Sequence, residues 1–159
     1  MFYSQLVLRS DLSQIGEVDA FLQSIMQHFG IKEDFLGVIS VPLIECVKNG
    51  IIHGNKMDGN KKILVDFQVS ESKLSFTVTD EGQGFDYENA LKQCDDDIEK
   101  RGLFILCRLV EELTFLKNGS QVSYKINVPF SVNSPVNRAA ILQQKANKVE
   151  TTQRTTQYV

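Results

Sequence analysis

The chain lacks the features that several protein classes require. Its 159 residues include no tryptophan, two histidines and three cysteines, and the cysteines form no CxxC pair and have no histidine at ligand spacing. These absences exclude a disulfide framework and a structural zinc site, and they are typical of the reducing cytoplasm. No uninterrupted apolar run approaches the roughly 20 residues of a membrane helix, and the N-terminus lacks the cleavage site of a secretory signal. We therefore expect a cytoplasmic protein without a membrane span.

The charge balance is mildly acidic, with a formal net charge of −3. Such a chain is a poor partner for the phosphate backbone of nucleic acids, so no direct nucleic-acid binding is expected. The composition changes near Pro129, and residues 131–159 carry four basic residues against one acidic. We interpret residues 1–130 as one domain and residues 131–159 as a basic polar tail that is disordered or ordered by a partner.

Strand and helix patterns alternate along the domain. Apolar residues recur every three or four positions from Ile15 to Phe29, which predicts a helix ended by Gly30. A second helix is predicted over 33–53 and a third from Leu103 to Leu113. Alternation of apolar and polar residues predicts strands at 2–8, 63–69, 74–78, 113–117 and 121–128, the last four in two hairpins. This pattern predicts an α+β fold, a two-layer α/β sandwich with a mixed, mostly antiparallel sheet covered on one face by helices.

Three polar residues repeat at helical spacing in the second predicted helix. Glu45, Asn49 and His53 stand four residues apart, so an α-helix places all three on one face. A carboxylate, an amide oxygen and an imidazole in a row can hold a metal ion and position a reacting group. An ordinary solvated helix face gives the same pattern, and the residues alone do not separate the two interpretations.

Two further segments combine glycine with charge. Residues 80–85 (Asp-Glu-Gly-Gln-Gly-Phe) follow a predicted strand, and their glycines allow a ligand to approach the backbone; a plain turn is the alternative. Residues 100–103 (Lys-Arg-Gly-Leu) open the third helix, whose free N–H groups favour an anion, although an ordinary helix start looks the same. Residues 86–99 between them hold six acidic residues, as either a solvated loop or a mobile lid.

The order of these motifs resembles the GHKL ATPase superfamily of DNA gyrase, sensor histidine kinases and mismatch-repair ATPases. The similarity runs from about residue 5 to residue 128. It is closest to the small bacterial anti-sigma-factor serine kinases, because the chain is short, lacks a phosphoacceptor-histidine helix and has a glutamate at the head of the first motif. The matching positions are Glu45, Asn49 and His53-Gly54 for the N-box, residues 80–85 for the first glycine box, Arg101-Gly102-Leu103 for the second, and Gly119-Ser120 for the late Gly-Thr.

This resemblance implies ATP and Mg²⁺ as cofactors, bound between the helices and the sheet under a lid at residues 86–100. It implies that Asp80 accepts a hydrogen bond from the adenine amino group and that Ser120 joins through its hydroxyl or a water. It also implies that Asn49 coordinates Mg²⁺ and that Glu45 is the base that takes the proton from a serine hydroxyl. The other implied nucleotide-binding residues are Gly82 and Gly84 beside the base, and His53, Arg101, Gly102 and Leu103 toward the phosphates.

The similar kinases phosphorylate a serine on a small antagonist protein, sequester a sigma factor and work as dimers. The resemblance therefore implies an antagonist protein and a sigma factor as partners, and a homodimer. The alternative is a non-catalytic regulator of the same fold that binds nucleotide or partners only. Glu45 separates the two, because a binding module has no need of a carboxylate that repels phosphates. The same glutamate argues against a detached histidine-kinase ATPase domain.

Three positions depart from the family pattern. Lys100 stands where a glycine is usual, and it would either stiffen the turn or add a phosphate contact. Ser120 replaces the usual threonine. Pro42 removes an amide donor early in the second predicted helix, so that helix either begins near Pro42 or kinks there. A kink would redirect Glu45 and Asn49.

Overall fold

A five-stranded sheet is the frame of the molecule, which a computed structural model describes for residues 2–70, 73–92 and 101–129. The strand order is β1-β2-β3-β5-β4. All four pairings are antiparallel, so the described strands contain no mixed component. The strands are β1 (Phe2–Arg9), β2 (Lys62–Ser70), β3 (Lys73–Thr79), β4 (Glu111–Leu116) and β5 (Gln121–Asn127).

The described residues include four α-helices beside the sheet. They are α1 (Ile15–Phe29), α2 (Leu36–Asn49), α3 (Tyr87–Lys92) and α4 (Arg101–Leu109). Helix α1 ends as predicted, because Gly30 adopts the left-handed conformation with φ of 61° and caps the helix through its N–H. A 3₁₀ turn (Glu33–Phe35) precedes α2, and a π-helical turn (Gly50–Gly54) extends it. The second predicted helix is therefore confirmed over nearly its whole length.

The core lies between one face of the sheet and the helices. Every second residue of β2 and β3 is buried on this face, as the alternation predicts, and Tyr124 and Ile126 of β5 are buried there too. Phe67 and Phe76 pair across β2 and β3, and Phe76 stacks on Tyr124 of β5 with ring centroids 5.5 Å apart. The helices contribute Val18, Leu22, Ile39, Leu43 and Val47, all fully buried. The predicted two-layer α+β sandwich is thus confirmed.

Helix α2 passes through Pro42 without beginning there. Pro42 is buried inside the helix, so the first of the two alternatives, a helix that begins near Pro42, is excluded. By length and composition alone, the segment Glu33–Gly54 is long and apolar enough to cross a membrane. The segment holds no uninterrupted apolar run of that length, because Glu45 and Lys48 lie within it. A core helix of a soluble domain has the same character, and Leu43 and Val47 pack in this core.

The third predicted helix ends earlier than its apolar spacing indicated. Helix α4 stops at Leu109, and the N–H of Val110 makes a last bond to the carbonyl of Leu106 at 3.1 Å. Leu113 lies in β4 instead, because the chain enters the sheet at Glu111. Leu113 is half-buried in β4, so in the sequence it continues the apolar spacing of the helix although it lies on a strand.

Some predictions fall partly or wholly outside the described residues. The lid predicted at residues 86–100 begins as α3, and residues 93–100, including Lys100, lie outside. The two turn residues of the first hairpin, 71 and 72, and the tail predicted at 131–159 also lie outside. The second hairpin is confirmed, with a 3₁₀ turn (Lys117–Gly119) between β4 and β5.

Candidate functional site

The motif residues meet at one end of the sheet. The end of β3 leads into Asp80, and the π-helical turn of α2 lies directly against it. The first turn of α4 lies against α2 one turn earlier, at Glu45 and Asn49. The turn before β5 closes the arrangement, because the carbonyl of Ser120 accepts the backbone N–H of Asp80 at 2.9 Å. Four segments that are distant in sequence therefore form one site.

Glycines surround the Asp80 carboxylate. A Cβ at Gly54 would lie 2.5 Å from each carboxylate oxygen, and a Cβ at Gly82 would lie 2.8 Å from Oδ1. A Cβ at Gly50 would come within 2.9 Å of Ile63 and 3.5 Å of the Asp80 Cβ. Only the lack of side chains at these positions lets the helix and the loop close around this carboxyl group.

The environment of Asp80 favours a polar partner. Burial raises the pKa of this half-buried carboxyl, whereas the hydrogen bond from the Gly82 N–H and the charge of Lys61 lower it. The Gly82 N–H donates to Oδ1 at 2.8 Å, and the other oxygen receives no hydrogen bond from the described part of the chain. A partly dehydrated carboxylate with an open oxygen is suited to accept a hydrogen bond from a ligand.

A second cluster lies where α2 meets α4. A Cβ at Gly102 would overlap the Oε2 atom of Glu45 and lie 3.8 Å from the Asn49 Nδ2 atom. The Glu45 side chain is 25% exposed, and its Oε1 atom accepts from the Lys48 ammonium at 3.2 Å. Asn49 is exposed, and its amide makes no hydrogen bond within the described ranges. Gly102 thus allows the N-terminus of α4 to approach a carboxylate and an amide on one helix face.

Within the described residues, α4 begins at Arg101, so Gly102 and Leu103 lie in its first turn. The leading N–H groups of any helix have no intrahelical acceptor, and here they include those of Gly102 and Leu103. The Leu103 side chain is buried in the core and anchors this turn. Arg101 begins the helix, and its side chain is not among the described parts of the structure.

His53 lies in the π-helical turn that extends α2. The N–H of Asn55 bonds to the carbonyl of Gly50 at 2.7 Å, five residues back, which widens the helix into a π turn. The α-helical spacing that aligns Glu45 with Asn49 therefore does not continue to His53. The His53 side chain is exposed and forms no hydrogen bond or ion pair with the described residues. That His53 shares one helix face with Glu45 and Asn49 stays a prediction.

Gly84 and Ser120 join the glycine loop to the last hairpin. Gly84 has φ of 78°, and the next N–H, of Phe85, donates to the carbonyl of Asn118 at 2.9 Å. Ser120 is buried, and its hydroxyl donates to the carbonyl of Lys117 at 2.9 Å. The hydroxyl proton of Ser120 is therefore used in this hydrogen bond, and the hydroxyl oxygen can still accept a hydrogen bond.

Comparison with known proteins identifies the architecture. Residues 8–126 match the family model described as the histidine kinase-like ATPase domain. The chain belongs to this family. It is 26% identical over 107 residues to the serine-protein kinase RsbW of Staphylococcus aureus strains Newman and USA300, an alignment that covers 60% of this chain and 67% of each relative. Membership of this family of ATPase domains implies that the chain binds ATP.

A solved structure shows the same fold. The crystal structure of the RsbU and RsbW domains of a Mycobacterium tuberculosis protein superposes with a TM-score of 0.57 at 17% identity. The match covers 82% of this chain and 33% of the other, so this chain spans about a third of that protein's length. The likeness establishes the ATPase-domain fold, a sheet with one helical layer, independently of close sequence similarity.

The donor set of the ATPase domain fits a magnesium ion carried by a nucleotide. The described residues contain no group of three histidine, cysteine, aspartate or glutamate side chains that could hold a metal alone. Mg²⁺ usually keeps several waters and takes one or two protein oxygens together with substrate phosphates. The exposed Asn49 amide, beside the Glu45 carboxylate, carries one such oxygen.

One residue that matters to the site of the ATPase domain was missed by the sequence analysis. Asn55 is fully buried and hydrogen-bonds both to the start of β2 and to the loop after Asp80. Its sequence signal is slight, because an asparagine after His53-Gly54 resembles an ordinary helix stop. Only the tertiary structure shows that its side chain forms hydrogen bonds with two separate segments.

Proposed function

We propose that the protein is an ATP-dependent protein serine kinase that acts as an anti-sigma factor and phosphorylates a small antagonist protein. One observation carries the proposal: Glu45, a carboxylate, lies against the N-terminal turn of α4, on the same helix face as the Asn49 amide. A site that only binds nucleotide gains nothing from a negative charge at this position, whereas a phosphoryl transfer to a hydroxyl needs a proton acceptor there.

The Asp80 end is the proposed adenine site. An ionised carboxylate accepts a hydrogen bond from the adenine amino group and repels the carbonyl that guanine carries at the same ring position. Gly82 and Gly84 are proposed to lie beside the base. Together with Gly54, they let the backbone pack closely around the carboxylate and against the last hairpin. The lone pairs that remain on the Ser120 hydroxyl are proposed to receive a hydrogen bond from the base or from a water.

The α4 end is the proposed phosphate site. The N–H groups of Gly102 and Leu103 face anions favourably at a helix N-terminus, and Arg101 and His53 are proposed as further phosphate partners. Asn49 is the proposed ligand of Mg²⁺. Bound ATP with Mg²⁺ supplies the phosphoryl group to be transferred and the cation that offsets its charge.

Glu45 is the proposed general base. Its Oε1 atom is held by Lys48 at 3.2 Å, and its Oε2 atom lies beside Gly102. In the proposed reaction this carboxylate takes the proton of a serine hydroxyl while the serine oxygen bonds to the terminal phosphorus. The bond from that phosphorus to the leaving oxygen breaks, so ADP and a phosphoserine are formed.

The proposal also includes the protein partners of the kinase. The curated relatives are named serine-protein kinases, which supports a protein serine as the acceptor. We include a sigma factor as a second binding partner, a homodimer and a cytoplasmic location. A phosphate adds nearly two negative charges to the antagonist and changes how it competes for a shared surface. Such a competition is the physical basis of partner switching.

The substitution Glu45→Gln tests the function. We expect calorimetric ATP binding in the presence of Mg²⁺ to remain within about threefold of wild type, because the amide keeps the shape and removes a charge. Transfer of labelled phosphate from ATP to serine on a small protein of the same cell is expected to fall by roughly 10²- to 10⁴-fold. Glu33→Gln, an exposed acid at the start of the same helical segment, is the matched control. Full transfer by Glu45→Gln would remove Glu45 as the base.

The non-catalytic regulator remains the competing function. The ion pair with Lys48 favours it, because the Oε1 atom of Glu45 is already engaged by an ammonium group at 3.2 Å. Tight ATP binding by the wild-type protein with no transfer to any serine would support this alternative and overturn the kinase.

A further inference from the structure

Asn55 links three separate segments through one buried side chain. It is 0% exposed and directly follows the π-helical turn. Its Nδ2 atom donates to the carbonyl of Lys62 at 2.9 Å, and its Oδ1 atom accepts from the N–H of Glu81 at 2.8 Å. The end of α2, the start of β2 and the loop after β3 are therefore joined at a single amide group.

Glu81 completes this link from the surface side. Its exposed side chain accepts the backbone N–H of Lys62, whose carbonyl is already held by Asn55. Both backbone groups of Lys62 are thus bonded to this cluster. The Asn55 lock, as we name the three residues Asn55, Lys62 and Glu81, closes a ring of hydrogen bonds between the strand and the loop.

Asp80 is held on both sides as a result. Its own N–H is bonded to the carbonyl of Ser120 at 2.9 Å, and the next N–H in the chain is bonded to Asn55 at 2.8 Å. With two successive amides fixed, the direction in which the Asp80 side chain leaves the backbone is also fixed. The Gly82 N–H then orients the carboxylate itself at 2.8 Å.

We propose that Asn55 is a positioning residue for Asp80 and thereby sets the preference of the site for adenine. This inference rests on the proposed nucleotide site. Loss of the amide would leave the N–H of Glu81 and the carbonyl of Lys62 without partners in a partly buried place, and the loop would shift to satisfy them. The phosphate end would be spared, because Glu45, Asn49 and Gly102 make none of these hydrogen bonds.

Calorimetric titration of the full chain with three ligands, each in the presence of Mg²⁺, tests the proposal. The ligands are ATP, GTP and inorganic tripolyphosphate, which has no base. For Asn55→Ala we expect roughly tenfold weaker ATP binding, a smaller ratio of ATP to GTP affinity, and unchanged tripolyphosphate binding. Asn60→Ala is the control, since Asn60 lies in the same loop and, among the described residues, its side chain bonds only to Asp58. This control should leave all three affinities unchanged.

A double-mutant cycle distinguishes positioning from general destabilisation. If Asn55 acts through Asp80, then Asn55→Ala added to Asp80→Asn lowers ATP affinity little further. Additive losses, or an equal loss of ATP and tripolyphosphate binding, would overturn the positioning role. Should Asn55→Ala fail to fold, Glu81→Ala loosens the same lock from the surface, and an unchanged ATP-to-GTP ratio there would overturn it as well. Wild-type protein that binds ATP no better than tripolyphosphate would instead refute the proposed adenine site, and the positioning role with it.

Discussion

The contact between α4 and Glu45 can be perturbed by a single methyl group. Gly102 lies in the first turn of α4, and a Cβ at this position would overlap the Oε2 atom of Glu45 and lie 3.4 Å from its Cδ atom. The atom that must move is the end of a flexible side chain and not backbone. The substitution Gly102→Ala should therefore leave the fold intact and displace the proposed base.

The size of the displacement follows from contact distances. An ordinary carbon–oxygen contact is about 3.3 Å or longer, so the Glu45 oxygen must retreat by roughly 1 Å. The displaced carboxylate can move toward the Lys48 ammonium, with which it already forms an ion pair. A misplacement of about 1 Å in a reacting group can lower a rate about 100-fold. Alanine is the better helix former by up to about 1 kcal/mol, so thermal stability should be equal or higher.

The assay is single-turnover transfer of labelled phosphate to the protein serine, together with ATP affinity by calorimetry. For Gly102→Ala we expect transfer to fall about 100-fold and ATP affinity to change by less than about fivefold. Gly37→Ala is the matched control, since Gly37 lies in the same helix as Glu45 and a Cβ there would meet nothing within 4 Å. Normal transfer by Gly102→Ala would refute the reasoning, because Glu45 would then not need its observed position.

Two further predictions concern Asp80 and Gly84. Burial raises the pKa of Asp80, so its charged form costs stability above the ordinary carboxyl pKa of about 4, and this cost disappears as the pH falls through the raised pKa. Asp80→Asn should therefore raise the melting temperature at pH 7 but not at pH 3, while ATP affinity falls roughly 10- to 100-fold; unchanged affinity would remove Asp80 from the adenine site. Gly84 has φ of 78°, and a Cβ would overlap the Asn118 carbonyl, so Gly84→Ala should lose at least about 2 kcal/mol of unfolding free energy in urea. Gly59→Ala, where a Cβ would meet nothing within 4 Å, is its control, and equal stability of the two variants would contradict the argument.

The sequence predicted the elements whose patterns are local. The apolar spacing from Ile15 to Phe29 and the glycine after it specify α1. The spacing determines which face is buried, and the glycine permits the left-handed conformation that ends the helix, so both signals come from residues close together in sequence. The alternation in β2 and β3 specifies their inner face in the same way. The family resemblance, and not periodicity, predicted that Asp80 and the second helix would share a site.

Other features were not predictable because they depend on tertiary contacts. The π turn around His53 adds one residue to a helical turn, and the spacing of apolar residues in the sequence does not predict it. The Asn55 lock joins residues 7 and 26 positions apart, which no local pattern reveals. The early end of α4 was hidden because Leu113, on a strand with an irregular register, continued the apparent helical spacing.

One helical segment spans both ends of the proposed site. Glu45 and Gly54 are nine residues apart, which corresponds to about 13 Å along a helix axis. The first contacts the N-terminus of α4 and the second contacts Asp80. A nucleoside triphosphate is an elongated molecule, with its base at one end and its terminal phosphate at the other. A ligand lying along this segment would place the base against Gly54 and Asp80 and the terminal phosphate near Glu45 and Gly102. Because different residues serve the two ends, substitutions at Asp80 should alter the choice of base, and substitutions at Gly102 should alter the transfer rate.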